Sequence, residues 1–169
     1  MQPEALMRLL AQVPRSEAGF EETRFMSMLS EPLKLSGTLS YVRPDHLEKS
    51  VRSPYRERLT VTGDRLSLEA GAASEPRVLS LSEQPLLRAL VEGVRATLAG
   101  DLASLERHYR VTLEGTLGHW VLSLHPRLAE TQALLAWVRI DGQRERIIGL
   151  EVQEASGDRS VMRIVTRSP

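Results

Sequence analysis

The chain has 169 residues, with 22 basic and 22 acidic side chains and so a formal net charge of +0. That length suits one domain with a substantial core, and the charge balance argues against a nucleic-acid binder, which carries a basic excess to neutralise phosphate. Cysteine is absent, which excludes disulfides, thiolate metal sites and a Cys nucleophile, and no apolar run approaches the ~18–20 residues of a spanning helix.

Pro3 to Gln12 reads as a short amphipathic helix. Leu6, Leu9, Leu10 and Val13 recur at helical spacing, and Pro3 sits in the first turn, where a missing N–H costs little. Pro14 ends it. No basic leader precedes an apolar run, so this segment is not a signal peptide; the protein is either cytosolic or exported with its signal removed. Glu17 to Leu29 is predicted as a strand, with Phe20, Phe25, Met26, Met28 and Leu29 as its apolar members.

The most regular stretch runs from Leu33 to Glu69. Leu33, Leu35, Gly37, Leu39 and Tyr41 alternate with Lys34, Ser36, Thr38 and Ser40, the pattern of a half-buried strand. Arg43-Pro44-Asp45 breaks it, because Pro lacks the ladder N–H and restricts its predecessor. Shorter strands follow over Leu47–Val51 and Arg58–Val61, and Thr62-Gly63-Asp64 turns into Leu66 and Leu68. This is an antiparallel meander. Gly71 to Ser74 is a loop, and Arg77 to Leu81 is a further strand.

The period then changes. Leu87, Leu90, Val91, Val94 and Leu98 follow an i, i+3, i+4, i+7, i+11 series, so residues 84–99 form a helix with one apolar stripe. Ser82 is a candidate cap, Pro85 lies in the first turn and Gly100 is the stop. Asp101 can cap a second short helix over Leu102–Arg107. Strands return with Tyr109–Leu117, a turn at Gly118-His119, then Trp120–Leu124. Leu134–Ile140 follows, turned by Asp141-Gly142 into Arg146–Glu154. Gly157-Asp158 turns into Ser160–Thr166. About ten strands are expected, with one helix in front and a helical insertion in the middle.

Such a meander can be a sandwich, a closed barrel or a curved half-barrel. The two helical segments favour the last, since they can plug the mouth of a curved sheet. The expected fold is therefore mainly β with helices (α+β): an incomplete, strongly curved antiparallel β-barrel with an N-terminal helix and a mid-chain helical lid.

Catalytic signatures are missing. His46, His108, His119 and His125 show no two-ligand spacing, and there is no nucleophile elbow or phosphate loop. Glu21 and Glu22 are adjacent, so on a strand they point to opposite faces. Asp64, Asp141 and Asp158 fall in turns, where Asp serves the backbone. No enzyme activity, metal or cofactor is expected. The 84–99 stripe would ordinarily be core; its sharper reading is a lid over a cavity.

The order of elements, with G-F-E-E-T-R-F at Gly19–Phe25, G-T-L-S-Y-V-R-P-D at Gly37–Asp45 and T-V-T-G-D-R-L at Thr60–Leu66, resembles the periplasmic lipoprotein carrier (LolA) family. The resemblance covers nearly the whole chain, 1–169, as a single LolA-like lipid-binding domain. It implies a non-enzymatic periplasmic carrier with its signal peptide removed, binding the acyl chains of a lipoprotein or other acylated lipid and moving it towards the outer membrane. It further implies an inner-membrane release complex and an outer-membrane acceptor as partners, a monomer, and no nucleic acid. Leu10, Phe25, Leu39, Tyr41, Leu87, Leu90, Val91 and Val94 are the expected cavity and lid residues, and Arg43, by resemblance, the latch that bonds lid carbonyls. Where the family tends to carry aromatics after the R-P pair, this chain has Leu47 and Lys49, so its cavity wall is expected to be mostly Leu, Val, Ile and Met. The alternative is an envelope regulatory or interaction domain of the same fold, sensing lipid and binding a partner protein.

Overall fold

The computed structural model describes residues 1–71 and 75–165. Most of the expected loop at Gly71–Ser74, and Thr166 at the expected end of the last strand, lie outside these residues. Helix α1 (Pro3–Leu10) precedes a six-strand meander: β1 (Arg15–Phe25), β2 (Leu33–Val42), β3 (His46–Ser53), β4 (Glu57–Thr62), β5 (Arg65–Ala70) and β6 (Arg77–Ser80). After a 3₁₀ turn at Leu81–Glu83 come α2 (Pro85–Ala99) and α3 (Leu102–His108). The chain closes with β7 (Tyr109–Thr116), β8 (His119–Pro126), α4 (Ala129–Gln132), β9 (Leu135–Gln143), β10 (Arg146–Glu154) and β11 (Arg159–Val165).

All eleven strands form one antiparallel sheet in the order β6-β5-β4-β3-β2-β1-β11-β10-β9-β8-β7. Its first and last strands therefore pair in the middle, with Phe20 opposite both Gly37 of β2 and Ile164 of β11. The ends β6 and β7 do not meet. They nevertheless reach the same helix. Val91 of α2 packs with Val61 of β4 and Leu66 of β5, while Leu86, Ala89 and Leu90 pack on a core that includes Tyr109 of β7 and Leu124 of β8. A sheet whose opposite flanks touch one helix is strongly curved, and one whose edges stay unpaired is an open half-barrel.

The bend has local causes. A register shift falls between Ser36 and Gly37, and a Cβ on Gly37 would lie 1.8 Å from the Ser50 carbonyl oxygen, so only glycine lets β2 and β3 approach there. The ring of Phe20 covers the gap. A second shift lies between Ile147 and Gly149 on β10.

The helical segments follow the sequence closely. Pro85 starts α2, Gly100 stops it at φ 70° and Asp101 caps α3 by accepting the Ser104 N–H at 3.1 Å. Gly100 also sits where α1 crosses the end of α2: a Cβ there would be 2.2 Å from the Met7 carbonyl oxygen. Gly100→Ala is therefore expected to lower stability by about 3 kcal/mol, adding left-handed strain to a backbone clash; chemical denaturation measures it.

Three expectations need correction. Ser82 does not cap α2; it lies in the 3₁₀ turn, where its N–H donates to Asp64 at 2.8 Å. Asp141-Gly142 is not the hairpin turn. Both residues belong to β9, the turn falls at Arg144-Glu145, and Gly142 is required by packing, since a Cβ would meet the Trp120 ring at 2.2 Å. β1 ends at Phe25 rather than Leu29.

Candidate functional site: an apolar cavity under helix α2

The concave face of the sheet is not filled. Between it and α2 lies a cavity of about 620 Å³, within the range of small-molecule sites. Its roof is the stripe of α2: Leu87, Leu90, Val91, Val94 and Leu98 all line it. Only Val91 of these is fully buried. The side of α2 that meets solid core carries Gly93 and Thr97 instead. Gly93 is pressed against Tyr109, a Cβ there lying 3.3 Å from the ring, and the Tyr109 hydroxyl donates to the Ala89 carbonyl at 2.6 Å. Thus α2 is anchored by Gly93 and Thr97 and by Leu86, Ala89 and Leu90 on the core, and its stripe also borders the cavity.

The walls come from the inward parity of each strand. Leu39 and Tyr41 on β2, Leu47 and Val51 on β3, Leu59 and Val61 on β4, Leu150 and Val152 on β10, and Met162 and Ile164 on β11 line the cavity, with Leu10 and Val13 closing one end. Seven of the eight expected lining residues are brought together here: Leu10, Leu39, Tyr41, Leu87, Leu90, Val91 and Val94. Phe25 is the correction. On β1 the inward positions are Ser16, Ala18, Phe20, Glu22 and Arg24, so Phe25 faces outward; it is 44% exposed, with the Arg159 guanidinium 5.9 Å above its ring. The Tyr41 hydroxyl is buried with no hydrogen-bond partner among the described residues, and burial raises its pKa.

The helices are tied down by arginines. Arg43 Nη1 donates to the carbonyl of Ala11, the C-terminal cap of α1. That leaves one fewer free carbonyl at the helix end. Arg95 of α2 donates to the carbonyls of Asp45 at 3.2 Å and Gly63 at 2.8 Å, fastening the lid to the β2–β3 and β4–β5 turns. Sequence reading missed Arg95, because an arginine on a helix flank has no signal of its own.

It also missed a polar cluster in the wall. Glu22 is 4% exposed, with Oε1 accepting from Lys49 Nζ at 2.6 Å and Oε2 from Arg24 Nε at 3.0 Å and Ser160 Oγ at 2.6 Å. Burial opposes ionisation of Glu22, but Lys49, Ser160 and Arg24 together outweigh it and hold the carboxyl below its usual range. Burial likewise holds Lys49 below the usual lysine range. A depressed carboxyl pKa stabilises the fold above the unfolded-state pKa, and this contribution disappears as pH falls through the folded value. Glu22→Gln is therefore expected to cost about 2 kcal/mol at pH 7, leaving Lys49 without its counter-charge. The difference from the parent protein should shrink once pH falls below the unfolded-state carboxyl pKa and vanish only below the lower folded-state value; urea unfolding at a series of pH values reads both.

Elsewhere the described residues offer little. No group of three His, Cys, Asp or Glu among them is placed to hold a metal ion, and no helix is long and apolar enough to cross a membrane. A more open cleft of about 450 Å³ is lined by Arg110, His125, Arg127 and Gln132 together with Pro126, Leu135 and Ala136.

The chain is thus an open antiparallel half-barrel with an apolar cavity roofed by helices. The profile of the family described as "Outer membrane lipoprotein carrier protein LolA-like" matches residues 2–165, and the chain belongs to that family. The fold is also that of the LolA superfamily protein NE2245 from Nitrosomonas europaea: TM-score 0.50, 12% identity, covering 100% of this chain and 96% of that one. A chain of the Pseudomonas aeruginosa MucA/MucB complex is similar at TM-score 0.50 and 13% identity, over 99% of this chain but 58% of the other. No curated protein matches in sequence.

Proposed function

We propose that the protein is a periplasmic carrier that binds the acyl chains of a lipoprotein or another acylated lipid in the cavity under α2 and delivers them towards the outer membrane. The observation that carries this reading is the half-exposed stripe of Leu87, Leu90, Val94 and Leu98 over a 620 Å³ apolar space. Each methylene withdrawn from water there contributes about 0.8 kcal/mol. Arg43, bonded to the end of α1, is the latch, and α1 with α2 is the lid; chains enter when these contacts open. An inner-membrane donor and an outer-membrane acceptor are the partners that such a role requires, with one copy acting alone. The domain spans residues 1–169 and works without chemistry of its own.

A titration with a fluorescent fatty acid tests the reading. Saturable one-to-one binding, displaced by an unlabelled fatty acid, is expected; an absence of binding at micromolar protein contradicts it. A second reading, an envelope domain that senses lipid through the same cavity and holds a partner protein, draws support from the fold shared with a chain of the MucA/MucB complex. It predicts co-purification of a stoichiometric protein partner, which a free carrier lacks.

A further inference from the structure

The smaller cleft, where the ends of β7, β8 and β9 meet, shares no lining residue with the acyl cavity. Arg110 of β7 and His125 of β8 are cross-strand partners there. Their chain neighbours Tyr109 and Leu124 are buried in the core, so both point to the opposite, outer face of the sheet. Arg127 follows β8, and Gln132 of α4 and Leu135 of β9 complete the cleft.

Its polar groups are held in place but not used up. Arg127 Nε donates to the carbonyls of Glu106 at 2.8 Å and Tyr109 at 3.0 Å, which fixes the side chain. Both of its Nη groups are left without an acceptor among the described residues. Gln132 is fixed in turn by its Nε2, which donates to the Pro126 carbonyl at 2.9 Å. The Arg110 guanidinium has no hydrogen bond or ion pair among the described residues, and His125 Nδ1 is buried without a partner there. No acid among them lines the cleft. Glu106, Glu114 and Glu130, the acids nearest in sequence, pair with neither arginine. Two guanidiniums therefore share one concavity with no counter-charge. The chain as a whole carries +0, so attraction of an anion here is local and not a property of the whole surface.

We infer that this cleft is a second binding site, which seats a phosphate or carboxylate group between Arg110 and Arg127. The paired Nη edge of a guanidinium matches two oxygens of either group. Pro126, Leu135 and Ala136 offer apolar contact to the organic body that carries the anion. Such a group belongs either to a small free anion or to the head of an anionic lipid. The site is independent of the acyl cavity.

The test is calorimetric titration of the full chain with glycerol phosphate and with butyrate, at low ionic strength where screening is weak. Flotation with phosphatidylglycerol and with phosphatidylcholine vesicles runs alongside. Binding of at least one of the three anionic probes is expected. Glycerol phosphate or butyrate would assign a free phosphate or carboxylate; phosphatidylglycerol vesicles alone would assign a lipid head. Arg110→Gln should weaken that binding about tenfold, the loss of a charge-assisted pair. Arg77→Gln on β6, at the opposite edge of the sheet, should leave it unchanged. Because the Arg110 guanidinium has no partner in the fold, its removal spares the structure, which thermal melting verifies. Arg127→Gln should weaken binding as well. Absence of binding to all three anionic probes, or equal effects of Arg110→Gln and Arg77→Gln, overturns the site. Either result leaves the acyl cavity to its own fatty-acid titration.

Discussion

Exchanging Leu90 and Val94 together for Asp is expected to weaken acyl-chain binding by about 100-fold. Both side chains line the cavity roof, one turn apart on α2, and both are only half-buried in the protein without ligand. Two carboxylates there would keep about three or four methylenes from being desolvated, or would require burial of charge against them. At about 0.8 kcal/mol per methylene this is a loss near 2.5–3 kcal/mol, which is two orders of magnitude in affinity. Leu90 also packs on the core beneath α2, so some stability is lost too. Val94→Asp alone separates the effects: Val94 belongs to none of the buried apolar clusters but still lines the cavity. Titration of a fluorescent fatty acid into the folded variants reads the affinity. Unchanged binding would return the stripe to the role of ordinary core.

Trp120→Ala should have the largest effect on stability, a loss of about 3–5 kcal/mol. Trp120 is 0% exposed at the centre of the main apolar cluster, among Leu122, Ile140 and Leu6. Its indole N–H donates to the Arg144 carbonyl at 2.9 Å, holding the β9–β10 turn, and its ring lies against Gly142, where no side chain fits. Truncation therefore opens a large cavity and removes the hydrogen bond to the turn together. Equilibrium unfolding in urea measures the loss; less than about 1 kcal/mol would mean that this region collapses around the gap.

These two sites differ in how far they could be read from the sequence. The α2 stripe and the alternation of β2 are periodic, and periodicity depends only on residues close in the chain. That is why the lid, its Gly100 stop, the Asp101 cap and the half-barrel meander were legible in advance. Phe25 was misplaced because β1 carries apolar residues on both parities, and only pairing with β2 and β11 decides which face is inward. Asp141-Gly142 has the composition of a hairpin turn, yet Gly142 is there to make room for Trp120 from the neighbouring strand. The polar cluster was out of reach for a similar reason. Glu22 meets Lys49 and Ser160 across separations of 27 and 138 residues, so no local spacing announces it. Lys49 itself was visible only as a residue where the family tends to be aromatic, and its position in the cavity wall gives that difference a physical meaning.

Native mass spectrometry of the protein purified from its own host, with extraction and identification of any bound species, tests the central claim most directly. A fraction of the protein is expected to carry one acylated amphiphile, released on unfolding and absent from the Leu90→Asp/Val94→Asp variant. Protein that emerges free of lipid from its own host, and stays free when offered acylated lipids, would contradict that reading.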